Sequence, residues 1–257
     1  MLRYEMGKTK IADEISNVLI RECQKQAGIR AYAEPFCGMI SVGLKMIDKQ
    51  NEHDLAKFRF VDKNKNIIVL LQAIQHGWTS PTSPIRVAEW QRMKQTARVS
   101  AKKSFYGYTL GFGGALLRGS KPNARDNTKK YLSRVQQKLR RIQGGGFGKR
   151  NVSVAYDDFR NLSFKNTLIY CDPPYIGVGE TNTSTTWPMQ DEDDFYDKIY
   201  EWLHPKSNNM VVVSGMVRPK RRKGFRIRQI WKRNWKAPIT TQRSSSRSEY
   251  LFRVFRN

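Results

Sequence analysis

The residues of this chain best suited to chemistry are an acid and a ring separated by two prolines, in Leu168-Ile169-Tyr170-Cys171-Asp172-Pro173-Pro174-Tyr175. An apolar run delivers Asp172 to the end of a strand. Pro173 and Pro174 lack backbone N–H groups and fix φ, so Asp172 is pushed into an extended conformation and Tyr175 projects from the same stiff turn. A carboxylate or backbone carbonyl accepts hydrogen bonds from an exocyclic amino group while a ring stacks on the base face, so the motif suits gripping an amino-bearing base. A capped turn with a packed tyrosine is the bland alternative, and an Asp-Pro-Pro-Tyr run behind an apolar strand is far more specific than that.

Two further constellations precede it. Ala33-Glu34-Pro35-Phe36-Cys37-Gly38-Met39-Ile40-Ser41-Val42-Gly43 reads as a strand, a glycine turn and a helix start. Gly38 lets the backbone approach a ligand closely, and the helix start offers free N–H groups. Alone, this is equally an ordinary tight turn. Phe60-Val61-Asp62 then places an acid at the next strand end, 24 residues beyond Gly38, where an acid in doubly wound folds accepts from ribose hydroxyls. Helix N-capping is the other reading of Asp62.

Charge points to the partner. The 257 residues carry 47 Lys and Arg against 22 Asp and Glu, a net charge of +25. Neutralising phosphates with Lys and Arg is the sequence-independent part of nucleic-acid affinity, so a polyanion is expected. An anionic membrane surface is the competing partner, but no basic amphipathic helix of the interfacial type stands out. No apolar run approaches the roughly 20 residues of a membrane span. Nothing resembles a signal peptide, and a cytoplasmic setting is expected. Cys23, Cys37 and Cys171 have unrelated spacings, and no Cys or His pair has zinc-ligand spacing, so no metal is expected.

The elements that must position these residues alternate. Residues 9 to 27 have helical spacing at Ile11, Ile15, Val18 and Leu19, with Thr9 as N-cap. Strands at Ala31 to Phe36 and Phe58 to Val61 are followed by helical patterns at Val42 to Ile47 and Ile67 to Ile74. From His76 to Arg150 the character changes to a basic, partly loop-like stretch. It contains GYTLGFGG at 107 to 114, a Lys- and Arg-rich helix from Tyr131 to Ile142, and Gly144-Gly145-Gly146. Strands resume at Val152 to Ala155, Leu168 to Cys171 and Met210 to Val213, with a helix from Asp191 to Leu203. The basic tail from Arg218 ends in a strand-like alternation over Glu249 to Phe255. A parallel α/β sheet with an insertion is the simplest architecture.

AEPFCG, the acid of FRFVD and CDPPY, in this order with a basic insertion between the last two, resemble the motifs of S-adenosylmethionine-dependent DNA adenine amino-methyltransferases, in particular the Dam-type, D12 class. Arg3-Tyr4-Glu5-Met6-Gly7-Lys8 is similar to that family's N-terminal motif, with Tyr4 where Trp is commoner and Met6 where a second Gly is common. SFYGYTLGFGG at 104 to 114 is similar to the segment before its DNA-reading part. The resemblance implies a Rossmann-like class I methyltransferase sheet, formed by residues 1–76 and 151–257. A mostly helical and loop-rich target-recognition module, 77–150, is inserted into it.

By the same resemblance, Tyr4, Lys8, Glu34, Pro35, Phe36, Gly38 and Asp62 hold S-adenosylmethionine, with Asp62 on the ribose. Asp158 takes the cofactor's adenine amino group, with Asp157 as the alternative, and Asp172 lies close to the methyl donor. Asp172, Pro173, Pro174 and Tyr175 form the catalytic turn for a flipped base. Lys102, Lys103, Arg118, Lys121, Arg125, Lys129 and Lys130, with Lys220, Arg221, Arg222 and Lys223 as a second group, are the candidate contacts to double-stranded DNA. A monomer or weak dimer is expected, and a restriction partner is left open. The rival readings are an RNA adenine or DNA cytosine amino-methyltransferase, and a non-catalytic nucleic-acid binder on the same fold.

Overall fold

The computed structural model describes residues 8–174, 188–216, 219, 223–236 and 246–257. Its strands are β1 (Ala31–Glu34), β2 (Lys57–Asp62), β3 (Val152–Tyr156), β4 (Thr167–Cys171), β5 (Met210–Gly215), β6 (Phe225–Lys236) and β7 (Ser246–Arg256). They form one seven-stranded sheet in the order β3-β2-β1-β4-β5-β7-β6. β1 to β5 pair in parallel, whereas β7 runs antiparallel to both β5 and β6. The helices are α1 (Ala12–Cys23), α2 (Ser41–Asp48), α3 (Lys65–Gln75), α4 (Val87–Gln95), α5 (Ala101–Leu110), α6 (Lys129–Ile142) and α7 (Met189–Trp202).

β4 and β5 are mostly apolar because both of their faces are covered. In β4, Leu168 and Tyr170 join the core built with α1 to α6, while Ile169 and Cys171 join a second core with Phe195, Ile199 and Trp202 of α7. β5 divides in the same way, Val212 to the first layer and Val211 and Val213 to the second. From β1 the chain proceeds outward through β2 and β3, then returns to place β4 on the other side of β1. β1 and β4 therefore flank the point where the strand order reverses, and the crevice at the carboxyl ends of the strands there is the usual ligand site of such sheets.

Several expectations need correction. The sheet is mixed, since β7 is reversed. β6 has no clear signature in the sequence because FRIRQIWKRNWK loses its alternation after Arg228, with Lys232 and Arg233 adjacent, and a register shift between Gln229 and Trp231 interrupts its period. Such a strand is marked by its edge position, where charge discourages further pairing. α1 is shorter than 9 to 27, and its cap position is Ile11; Thr9 Oγ1 instead lies 3.2 Å from Ser41 Oγ. β1 ends at Glu34, two residues before Phe36. Within the basic stretch α6 matches the expected helix, α4 and α5 are two helices beyond it, and Gly107 to Leu110 of the glycine-rich run is the last turn of α5. Gly107 serves packing there, because a Cβ would come within 2.5 Å of Leu116 Cδ1. Trp90, Phe105, Leu132 and Leu139 of these helices lie in the same core as α1 to α3.

Candidate active site

The β1–α2 turn is wound tightly. Gly38 has φ 46° and Ile40 has φ 49°. The left-handed region is costly for a β-branched residue, so the buried Ile40 marks stored backbone strain beside the crevice. Asp62, at the end of β2, ties this turn to the next one. Its Oδ2 accepts from the Gly38 N–H at 2.9 Å and its Oδ1 from the Asn64 N–H at 2.8 Å. The cap of α3 is Asn64, whose side chain accepts from the Asn66 N–H at 3.1 Å. Asp62 therefore bridges two strand ends rather than capping the helix. Burial raises its carboxyl above the usual range, opposed by those two backbone donors.

Glu34 ends β1 and is 3% exposed. It accepts from Tyr32 Oη at 2.7 Å and from the Gly43 backbone. α2 reaches this close only because residue 43 is glycine: a Cβ there would meet Phe60 Cε1 at 2.1 Å and Glu34 Oε1 at 2.9 Å. Burial, reinforced by the nearby Asp172 carboxylate, pushes the Glu34 carboxyl up to about 8, against the pull of its two donors. Pro35 is buried and Phe36 half-buried. The Phe36 ring lies 5.2 Å from that of Phe159 and 5.5 Å from that of Phe195, an apolar wall at the ends of β1 and β3.

Asp172 leaves β4 half-buried, followed by the buried Pro173. Its Oδ1 lies 3.1 Å from Lys8 Nζ, and the same ammonium donates to Glu249 Oε1 at 2.9 Å. Glu249 also accepts from Ser214 Oγ at 2.5 Å. Lys8 is 9% exposed and Glu249 2%. Burial opposes the Lys8 charge, but the two carboxylates outweigh it and its pKa ends above the usual lysine value. Glu249 is a site residue that the sequence hides; its signal is a lone acid just before the apolar-aromatic run Tyr250-Leu251-Phe252 of β7.

Asp157 and Asp158 follow β3, beside Asp62, whose carbonyl accepts from the Asp157 N–H at 3.4 Å. Asp157 turns inward on its own loop, accepting from the Asp158 N–H at 2.8 Å and from Asn161 Nδ2 at 2.9 Å. Asp158 is held by Arg160, with Nη1 at 3.1 Å from both carboxylate oxygens. Arg160 also pairs with Asp191 at 2.5 Å and Asp194 at 2.7 Å. Asp158 is thus near the crevice but shares its charge with an arginine that no sequence motif singles out.

The two buried cysteines at the strand ends, Cys37 and Cys171, have thiols pushed well above their usual range, first by burial and then by neighbouring carboxylates. Neither has the environment of a nucleophile.

The basic candidates are dispersed. Lys102 pairs with Glu89 at 2.8 Å, and Lys103 Nζ donates to the Thr96 carbonyl at 2.6 Å. Arg118 lies over the ring of Phe112, 5.7 Å from its centroid, and that phenylalanine is 72% exposed. Lys121, Arg125, Lys129, Lys130 and Lys223 are exposed. Tyr4, Tyr175, Lys220, Arg221 and Arg222 lie outside the described residues. α6 adds cations beyond those candidates: Lys130, Arg134, Lys138 and Arg141 are all exposed while Leu132, Val135 and Leu139 are buried. Spacings of four, four and three residues align these cations on one helix face.

A seven-stranded sheet in this order, with its one reversed strand next to the edge and acids gathered at the carboxyl ends of β1, β2 and β4, defines a Rossmann-like class I methyltransferase. The model of the D12 class N6 adenine-specific DNA methyltransferase family matches residues 4–227, and the chain belongs to that family. It is an adenine-specific DNA methyltransferase, of a class that takes its methyl group from S-adenosylmethionine. No match is found among curated proteins. Among solved structures, an rRNA methyltransferase from Streptomyces viridochromogenes is 11% identical with a TM-score of 0.41, covering 94% of this chain and 84% of that one. A candidate RNA methyltransferase from Pyrococcus horikoshii is 10% identical with a TM-score of 0.42, covering 94% of this chain and 81% of that one. Likeness at this level carries no weight for substrate. No helix among the described residues is long and apolar enough to cross a membrane.

Proposed function

We propose that the crevice methylates an adenine flipped out of double-stranded DNA, with Asp172 and the Pro173 carbonyl accepting hydrogen bonds from its exocyclic amino group and Tyr175 stacking on its ring. The observation that carries this is Asp172 itself. It is a half-buried carboxylate beyond β4, beside the divergence of β1 and β4, paired with Lys8 at 3.1 Å. An adenine amino nitrogen is a weak nucleophile because its lone pair is delocalised into the ring. Acceptors on both amino hydrogens favour a more tetrahedral nitrogen with a more available lone pair. A second large part of the rate comes from holding the two substrates in a reactive orientation. The paired amino group of a stacked base is out of reach, so the base must leave the helix.

The side chains of the crevice fit the cofactor. Asp62 offers an acceptor to ribose hydroxyls, with Gly38 permitting close approach, and Phe36 offers an apolar wall beside Glu34 and Pro35. The ion cluster of Lys8, Asp172 and Glu249, one positive charge between two negative ones, suits a cationic ligand. Tyr4 and Asp158 complete the set by family resemblance, Asp158 sharing its carboxylate with Arg160. When bound, S-adenosylmethionine supplies an electrophilic methyl group on a sulfonium.

Residues 1–76 and 151–257 act as the catalytic unit and 77–150 as the target-recognition module, in a cytoplasmic enzyme working as a monomer or weak dimer. The α6 stripe of Lys130, Arg134, Lys138 and Arg141 lies along phosphates, supported by Lys102, Lys103, Arg118, Lys121, Arg125 and Lys129 and by the second group, Lys220 to Lys223. The test is Asp172→Ala, assayed by transfer of labelled methyl groups to duplex DNA. Turnover is expected to fall about a hundred- to a thousandfold, the scale seen when a key transition-state hydrogen bond is removed, with DNA affinity within a few-fold of the parent. Retained turnover removes Asp172 from the chemistry.

A further inference from the structure

Glu249 is an expensive residue to bury where it sits. It lies on β7, is 2% exposed, and adds a second carboxylate to a cluster that already contains Asp172. Burying a carboxylate costs several kcal/mol unless charge and hydrogen bonds compensate it. Here the compensation is specific: Lys8 Nζ at 2.9 Å and Ser214 Oγ at 2.5 Å, both on Oε1. The Lys8 ammonium is consequently shared, 2.9 Å from Glu249 and 3.1 Å from Asp172. Glu249 comes from the reversed strand, and Lys8 lies 241 residues away along the chain. The contact is purely tertiary and spans nearly the whole protein.

We propose that Glu249 is a positioning residue for methyl transfer, which anchors the Lys8 ammonium on β7 so that Asp172 keeps a fixed orientation and acceptor capacity for the target amino group. A lysine ammonium has three donors and a carboxylate roughly four lone-pair directions. Without Glu249, the full attraction of Lys8 falls on Asp172, drawing both groups into a closer pair and withdrawing acceptor density from the substrate side. With Glu249, one donor and much of the charge are held on the far side, and the Ser214 hydroxyl keeps that carboxylate from turning away. The same arrangement keeps Lys8 charged in a buried site, since two carboxylates outweigh its desolvation. This inference rests on the reading of Asp172 as the acceptor for the target base.

The experiment compares the full-length protein with E249Q, S214A and D172A in single-turnover methyl transfer, both substrates saturating, from pH 6 to 10. Folding is monitored by circular dichroism and urea unfolding. E249Q keeps the size of the side chain and one acceptor oxygen for Lys8 and Ser214, and removes its charge. Its single-turnover rate at neutral pH is expected to fall at least about tenfold, the scale of one missing transition-state interaction, with the Kd for DNA, measured separately, changed less than the rate. Glu34, at about 8 beside Asp172, titrates in parent and variant alike; E249Q should add a further alkaline decline, because Lys8 then has one carboxylate to hold its proton instead of two. S214A should show the same pattern more weakly. An unchanged rate in E249Q overturns the inference, and so does a reduced rate with the parent's pH profile, which marks a structural role alone. If E249Q does not fold, S214A is judged by the same two criteria. Turnover by D172A sinks the acceptor reading itself, whereas a dead D172A beside a normal E249Q sinks only the role of Glu249.

Discussion

The carboxyl-end crevice and the outer face of α6 both carry dense charge, and they handle it in opposite ways. In the crevice, Lys8 and Glu249 are buried, Asp172 is half-buried, the lysine pairs with both carboxylates, and Glu34 is pushed towards its neutral form. Along α6, Lys130, Arg134, Lys138 and Arg141 stand in solvent on one stripe, above the buried Leu132, Val135 and Leu139. Burial makes each charge in the first region depend on its partner, so its geometry is fixed and individual losses are costly. Solvent makes the charges of the second region nearly independent, so they act as a sum that salt screens. The first arrangement suits chemistry at one atom, and the second suits a polymer whose phosphates repeat.

Three experiments press on that contrast. The largest loss of stability is expected from Gly43→Ala, which places a Cβ against the buried Phe60 ring and the Glu34 carboxyl. Overpacking there should cost about 3 kcal/mol, the upper end of its usual range, measured by urea unfolding. A neutral result would show that the crevice is looser than its packing suggests.

The next concerns pH. The Glu34 carboxyl stands at about 8 in the fold, mainly through burial, against its ordinary value of 4.5. Between these values the folded protein holds a proton that the unfolded chain has released. Glu34 therefore supports the fold fully below pH 4.5, and its support is lost as pH rises to about 8. The slope approaches about 1.4 kcal/mol per pH unit inside that window. Glu34→Gln should remove this component, so that unfolding midpoints of parent and variant diverge across the window and run parallel above it. Parallel behaviour throughout would place Glu34 in an ordinary, ionised state.

The smallest effect per residue is expected on α6. Replacing Lys130, Arg134, Lys138 or Arg141 singly by Gln should change stability by no more than about 0.5 kcal/mol. For every cation removed from a phosphate, the log–log salt slope of DNA binding should become shallower by about one. Slopes that do not move with successive substitutions would make the stripe a solvated surface and nothing more.

The crevice was partly legible in the sequence because its chemistry is local at each strand end. Asp172 between an apolar run and two prolines, Gly38 in a strand-to-helix turn, and Asp62 after FRFV announce themselves within a few residues, and the fold gathers the strands that carry them. Asp158 entered only through the family resemblance, and its partner Arg160, shared with Asp191 and Asp194 of α7, had no signal in the sequence. On α6 the helix was legible, yet its continuous stripe was not, because a charge run reads as solvated surface until the buried face is known. β6 is hard to see in the sequence because an edge strand buries too little to show a clear period.

What the sequence determined by itself is the set of turns and strand ends that carry an acid or a glycine, together with the basic excess, because these follow from backbone chemistry and composition over short distances. The tertiary structure alone decided that β7 runs backwards beside β5 and so brings Glu249 to Lys8 and Asp172. No local rule encodes that meeting: an ion pair across 241 residues exists only once the sheet has assembled, and burial then makes its geometry matter.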